Sequence, residues 1–151
     1  MIDIIYKKGD VRYPTCDGNK IICHCCNDIN IMGAGVALAI RKKWPVVYSE
    51  YKDKKLLLGE VQYVKVEKDI VVANMIGQEG IGFKNGIPPI RYEAMDECLS
   101  KVSEVAKKHN ATVCIPYLMG SALAGGEWNK VEALIIKNLC TKDVKVQVYE
   151  L

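Results

Sequence analysis

The sequence predicts an α/β fold in which helices cover a mixed sheet, and three observations carry that prediction. Short β-rich runs alternate with helical patterns along all 151 residues, the ordering that packs helices onto a sheet. Lys20–Cys26 is almost wholly apolar, as in a strand buried on both faces. Gln62–Val66 and Ile70–Met75 are separated by a tight Lys68-Asp69 turn, which requires at least one antiparallel pair.

The elements follow in order. Ile2–Tyr6 reads as a strand and Lys20–Cys26 as the second. Gly35–Lys43 reads as a helix that stops at Trp44-Pro45, because proline biases the residue before it away from α. Val46–Lys52 restarts as a short helix with Pro45 near its first turn. The hairpin Gln62–Val66 and Ile70–Met75 comes next. Ile90–His109 is the clearest helix, with Met95, Leu99, Val102 and Val105 or Ala106 recurring every three or four residues. Thr112–Pro116 is a strand. Trp128, Val131, Leu134, Ile135 and Leu139 mark one face of another helix, and Val144–Tyr149 closes the chain as a strand.

Composition narrows the function. The length suits one domain, residues 1–151, able to bury about 70% of its unfolded surface. Half the residues are hydrophobic and 26% are charged, which excludes extensive disorder. Lys and Arg number 21 against 18 Asp and Glu, a net charge of +3, and no basic stripe appears. That argues against a nucleic-acid partner. No run approaches the ~18 apolar residues of a membrane span, and no signal peptide is evident. The expectation is a cytoplasmic protein without a membrane partner. The seven cysteines read as reduced, buried thiols. Zinc at His24 with Cys23, Cys25 and Cys26 is the alternative, but adjacent ligands cannot all face one ion and no second CxxC pair completes a site. No metal or cofactor is expected.

Ligands in such sheets bind beyond the carboxyl ends of strands, and three loops there carry chemistry. Asn27 to Ala37 follows a buried strand and opens a helix, with Gly33 and Gly35 permitting close backbone approach. Free N–H groups at the helix start suit a phosphate. Gly120-Ser121-Ala122-Leu123-Ala124-Gly125-Gly126-Glu127-Trp128 repeats the pattern. Two such loops fit a diphosphate held from two sides. Neither has the Walker or GxGxxG spacing, which lowers the case for an ATPase or an NAD-dependent dehydrogenase. The third loop, Gly77 to Pro89, is long and glycine-rich with Phe83 at its middle. It reads either as a lid over a ligand or as a surface loop that packs Phe83 for stability.

Over nearly its whole length the chain resembles a macro domain. Lys8-Gly9-Asp10-Val11 resembles that family's Gly-Asp-Ile-Thr start. Asn27 with Met32-Gly33-Ala34-Gly35-Val36-Ala37 resembles its first glycine loop, and Gly120 to Trp128 resembles its second diphosphate loop. The resemblance implies a three-layer α/β/α sandwich with a mixed, mostly parallel central sheet and a cleft for ADP-ribose or its derivatives. It implies that Asp10, beside Gly9 and Val11, accepts from the adenine amino group. Met32, Gly33, Ala34, Gly35 and Val36 would line the distal ribose and diphosphate, with Asn27 near that ribose. Gly120, Ser121, Ala122, Leu123, Ala124, Gly125 and Gly126 would wrap the diphosphate from the other side.

Within the superfamily, the chain is most similar to the branch holding the ADP-ribose 1''-phosphate phosphatases and the terminal ADP-ribose–glutamate hydrolase. The markers are His24, Gly125-Gly126-Glu127-Trp128 and the final Val148-Tyr149-Glu150-Leu151. The lysine and aspartate of the glutamate-specific hydrolase fall at Gln78 and Ala124 here, which argues against a covalent lysine mechanism. Lys84 could substitute only if its loop folds inward. The resemblance makes His24 a candidate base or nucleophile toward a terminal phosphate, with Asn27 as its companion. The alternative is a core histidine donating to a backbone carbonyl. Hydrolysis of ADP-ribose 1''-phosphate or of an ADP-ribosylated acceptor is favoured. The alternative is a non-catalytic module that reads ADP-ribosylated protein or sequesters an ADP-ribose-derived signal.

Overall fold

In a computed structural model describing residues 1–151, six strands form one sheet. They are β1 (Ile5–Lys8), β2 (Lys20–Asn27), β3 (Val61–Glu67), β4 (Ile70–Gln78), β5 (Thr112–Pro116) and β6 (Val146–Glu150). Their order across the sheet is β1-β6-β5-β2-β4-β3. Every neighbouring pair is parallel except β3 with β4. The predicted hairpin thus supplies the single antiparallel pair, at one edge.

Helices α1 (Gly35–Lys43) and α2 (Pro45–Tyr51) cover one face, and α3 (Tyr92–His109) and α4 (Trp128–Asn138) cover the other. Strand β2 is the shared wall. Its Ile21 and Cys23 enter the core beneath α3 and α4, and its Ile22 and Cys26 enter the core beneath α1 and α2. That alternation follows from the two-residue period of a strand. It also sends Cys23 and Cys26 to opposite layers, so they cannot share an ion.

Several boundaries differ from the sequence reading: β4 runs on to Gln78 rather than ending at Met75, and three others have a local cause. The first strand is Ile5–Lys8 rather than Ile2–Tyr6. It is an edge strand, and pairing with β6 from Ile5↔Gln147 sets its extent, not hydropathy. The long helix starts at Tyr92, not Ile90. Pro88 and Pro89 lead in, and Ile90 N–H donates to the Ala124 carbonyl, which keeps that residue extended. The last strand starts at Val146, because Val144 N–H returns to Leu139 at the end of a short 3-10 turn.

The topology places the site. Strands β2 and β5 are parallel neighbours. The chain leaving β2 runs to α1 on one face, and the chain leaving β5 runs to α4 on the other. Where two adjacent strands send their continuations to opposite faces, a crevice opens at their carboxyl ends. No helix is long and apolar enough to cross a membrane.

Candidate functional site

That crevice holds two cavities. The larger, about 550 Å³, is bordered by β2's end, both glycine loops and the tip of the third loop. The smaller, about 340 Å³, is bordered by Asp10, Val11, Arg12, Ala39 and the last three residues of the chain. Val36, Pro116, Tyr117 and Leu118 border both. The two spaces are therefore chambers of one groove with a shared waist.

The two glycine loops that border the larger chamber, the first reaching the waist at Val36, present bare backbone donors. The N–H groups of Gly33, Ala34, Gly35, Val36 and Ala37 make no hydrogen bond within the protein, and neither do those of Gly120, Ala122, Leu123 and Ala124. The first set arises because a helix's opening N–H groups have no partner a turn earlier. The second arises from tight turns before α4 rather than from α4 itself, as Glu127 N–H is already bonded to Tyr92 Oη. Ser121 Oγ is buried with no partner. Leu118 is held at φ 66°, a left-handed conformation that costs a non-glycine residue about 1–2 kcal/mol. Its position at the waist ties that strain to the shape of the groove.

The larger chamber is lined mainly by apolar side chains, and its lining holds no carboxylate, ammonium or guanidinium. Its polar side chains are His24, Asn27, Gln78 and Tyr117, beside the thiols of Cys25 and Cys26. His24 borders the chamber but is only 2% exposed. Its Nε2 donates to Asn74 Oδ1 at 2.5 Å. Asn74 donates in turn to Gln62 Oε1 at 3.0 Å, and Gln62 donates to the Glu50 carbonyl at 2.8 Å. Burial holds the imidazole neutral, with its pKa pushed down to about 4, while the Asn74 bond opposes that shift. The histidine's partner is thus a side-chain amide on β4, not a backbone carbonyl.

Asn27 is a loop buttress. Its Oδ1 accepts from Ile29 N–H at 3.2 Å, Ile31 N–H at 3.1 Å and the Tyr51 hydroxyl at 3.0 Å, and its Nδ2 donates to the Ile31 carbonyl at 2.8 Å. Gln78 stands opposite it, in register at the end of β4.

In the smaller chamber, Asp10 is gripped by Arg12. The guanidinium donates through Nε at 3.1 Å and Nη2 at 2.6 Å, and Arg12 N–H donates at 2.9 Å. These bonds hold the carboxyl below the usual carboxylate range. Tyr149 closes this chamber from β6.

Of the residues anticipated from sequence, the two cavities bring together His24, Asn27, Asp10, Val11, Met32, Gly33, Ala34, Gly35, Val36, Gln78, Gly120, Ala122, Leu123 and Ala124. Gly9, Ser121, Gly125 and Gly126 do not line either one. Gly9 N–H joins the Glu150 carbonyl, and Gly126 N–H folds back to the Gly120 carbonyl. A side chain at Gly125 would stand 2.6 Å from the Phe83 ring. Gly125 therefore seats Phe83.

The third loop borders the larger chamber at its tip and packs against the second loop. Its Ile81 and Gly82 reach the larger chamber, while Phe83 lies on Gly125 and stays 61% exposed. It is tied down by Gly80 N–H to Asp28 Oδ1 at 2.8 Å and by Glu79 N–H to the Pro89 carbonyl at 2.9 Å. Lys84 is exposed and outside the lining.

Sequence reasoning missed Arg12, Tyr117, Leu118, Met119 and the lining role of Tyr149. Tyr117 to Met119 directly follow β5, so the rule that strand ends carry ligands could have found them. Arg12 had no such signal, because its role depends on where Asp10 points.

No family model matches the chain. A solved macrodomain protein from Streptomyces coelicolor is 37% identical, with 99% of each chain covered and a TM-score of 0.86. ADP-ribose glycohydrolase OARD1 of Homo sapiens is 26% identical over 148 residues, covering 98% of this chain and 91% of that protein. Chromodomain-helicase-DNA-binding protein 1-like of Danio rerio is 31% identical over 160 residues, covering 97% of this chain. The chain spans 15% of that relative's length.

Proposed function

The chain belongs to the macrodomain family, and from that premise we propose that its groove binds ADP-ribose or a derivative of it. The carrying observation is the shape: two adjoining chambers of about 340 and 550 Å³, with unpaired backbone donors on the two glycine loops that border the larger one. A ligand with a bulky group at each end and a diphosphate between them fits that form. The adenine end takes the smaller chamber, with Asp10 as acceptor for its amino group and Arg12 holding the carboxylate in place. Diphosphate oxygens accept from the Gly33–Ala37 N–H groups and from those of Gly120, Ala122, Leu123 and Ala124. The distal ribose takes the larger chamber beside Asn27 and Gln78.

Backbone N–H donors suit a diphosphate because they are fixed in direction and carry no side-chain entropy to lose. A Kd near 1 μM corresponds to about −8 kcal/mol, within reach of a preformed cleft. Isothermal calorimetry with ADP-ribose, AMP and ribose 5-phosphate tests the reading. ADP-ribose should bind at least tenfold more tightly than either fragment. No heat and no thermal shift at millimolar ADP-ribose would end it.

Turnover is the second reading, favoured by the relative named as an ADP-ribose glycohydrolase and by His24 at the border of the larger chamber. In that reading His24 is the acid–base group and Asn27 its companion. Its burial, its bond to Asn74 and the uncharged lining weigh toward a binder that leaves its ligand intact. Incubation with ADP-ribose 1''-phosphate and with an ADP-ribosylated protein, followed by mass, separates the two. If turnover occurs, His24→Ala should cut kcat about 10²- to 10⁴-fold with ADP-ribose binding retained.

A further inference from the structure

Cys16 lies on the segment between β1 and β2, and Cys114 lies in the middle of β5. Their Sγ atoms are 4.0 Å apart, across a separation of 98 positions in the chain. Cys16 is half-buried and Cys114 fully buried. The buried Lys20 stands on the same side. It pairs with Thr112 where Ile22 pairs with Cys114, two positions along the same strands. We infer that Cys16 and Cys114 are a reactive thiol pair, with Cys16 the attacking sulfur and Cys114 the resolving one, that closes to a disulfide under a peroxide.

The geometry distinguishes this pair. Sulfur atoms at 4.0 Å need to approach by about 2 Å to bond, and Cys16 sits outside the helices and strands. The contact between the two thiols, with the Lys20 ammonium nearby on its ion pair with Asp69, pulls the Cys16 pKa down. The same contact pushes Cys114 up. Burial pushes up Cys23, Cys25, Cys26, Cys98 and Cys140. Cys16 is therefore the thiol that is both shifted toward the thiolate and reachable.

The chemistry balances in two steps. The Cys16 thiolate attacks one peroxide oxygen, the O–O bond breaks, and Cys16 sulfenic acid and hydroxide form. The Cys114 sulfur then attacks the Cys16 sulfur. The S–O bond breaks, and the hydroxyl leaves with the Cys114 proton as water. Two thiols are oxidised and one peroxide is reduced.

The bond would act on the groove. Thr15, next to Cys16, donates its N–H to Tyr149 Oη at 3.0 Å, and Tyr149 donates to Gln147 Oε1 at 2.5 Å. Gln147 is the register partner of Cys114, and Tyr149 lines the smaller chamber. Drawing Cys16 toward β5 pulls on that wall.

The test treats the reduced protein with hydrogen peroxide, alkylates free thiols and maps the peptides by mass. A product lighter by two hydrogens, with Cys16 linked to Cys114 and reversed by dithiothreitol, is expected. In Cys114→Ala, Cys16 should stop at a sulfenic acid that dimedone traps. Should that variant fail to fold, Cys16→Ser at the half-buried position must abolish the linked product. A disulfide joining other cysteines, or one that persists in Cys16→Ser, overturns the pair. The effect on the groove rests on the ADP-ribose reading. Oxidation should weaken ADP-ribose binding about fivefold or more, and equal affinity of the oxidised and reduced forms overturns that coupling. Failure of the reduced protein to bind would count against the ligand reading alone, since the disulfide is read by mass.

Discussion

Asp10 is a carboxylate whose direction is set by one neighbour. Arg12 holds both of its oxygens, and the pair sits partly exposed at the wall of the smaller chamber. A hydrogen bond made by a charged acceptor is worth about 1–3 kcal/mol. Asp10→Ala should therefore raise the Kd for ADP-ribose by roughly 5- to 150-fold. Arg12→Ala should weaken it in the same direction but less, because the carboxylate remains while its orientation is lost. Calorimetry on both variants checks this, with ribose 5-phosphate as the ligand that should be indifferent. Equal losses for both ligands would place Asp10 outside the adenine end. The pairing was not legible in the sequence, where Arg12 is an ordinary charged residue two positions away.

At the scale of the loops, glycine has two separate reasons to be where it is. Gly82 and Gly125 have nearly the same backbone, at φ 73° and 74°. A side chain at Gly82 would meet nothing within 4 Å, whereas one at Gly125 would stand 2.6 Å from Phe83 and 2.8 Å from Pro88. Gly82→Ala should thus cost only the conformational term, about 1 kcal/mol. Gly125→Ala should cost that and the clash, about 2–4 kcal/mol, and should loosen Phe83 from the second loop. Urea denaturation of the two variants measures the difference. Equal midpoints would show that Phe83 and Pro88 yield freely. A charged residue at Gly125 would therefore disturb the loop itself, beyond any effect on a bound diphosphate.

For the whole molecule, the buried His24 makes stability depend on mild acid. In the unfolded chain it titrates at 6.5, and in the fold only at about 4. As pH falls below 6.5 the unfolded state takes up the proton first, so stability drops across that window and is fully present above it. The interval corresponds to about 3 kcal/mol. The paired carboxyls Asp10, Asp69 and Asp96 are held below 3.8 and titrate lower. Chemical denaturation at pH 7 and at pH 4.5 should show the loss, and His24→Gln should flatten it. An unchanged slope in that variant would assign the acid sensitivity elsewhere.

By itself, the sequence determined the elements and the loops. Periodicity located α3 through Met95, Leu99 and Val102, and the apolar run of β2 announced a strand buried on both faces. Glycine spacing marked both walls of the groove, because such loops declare their backbone freedom locally. The tertiary structure decided what depends on distant residues. The waist at Val36, Pro116, Tyr117 and Leu118 exists only because β2 and β5 are neighbours that send their chains to opposite faces. The neutrality of His24 comes from burial alone, against the pull of its Asn74 partner on another strand. The meeting of Cys16 with Cys114 likewise needs the fold. Local pattern carries backbone preference, whereas burial, partnership and charge state belong to contacts between segments far apart in the chain.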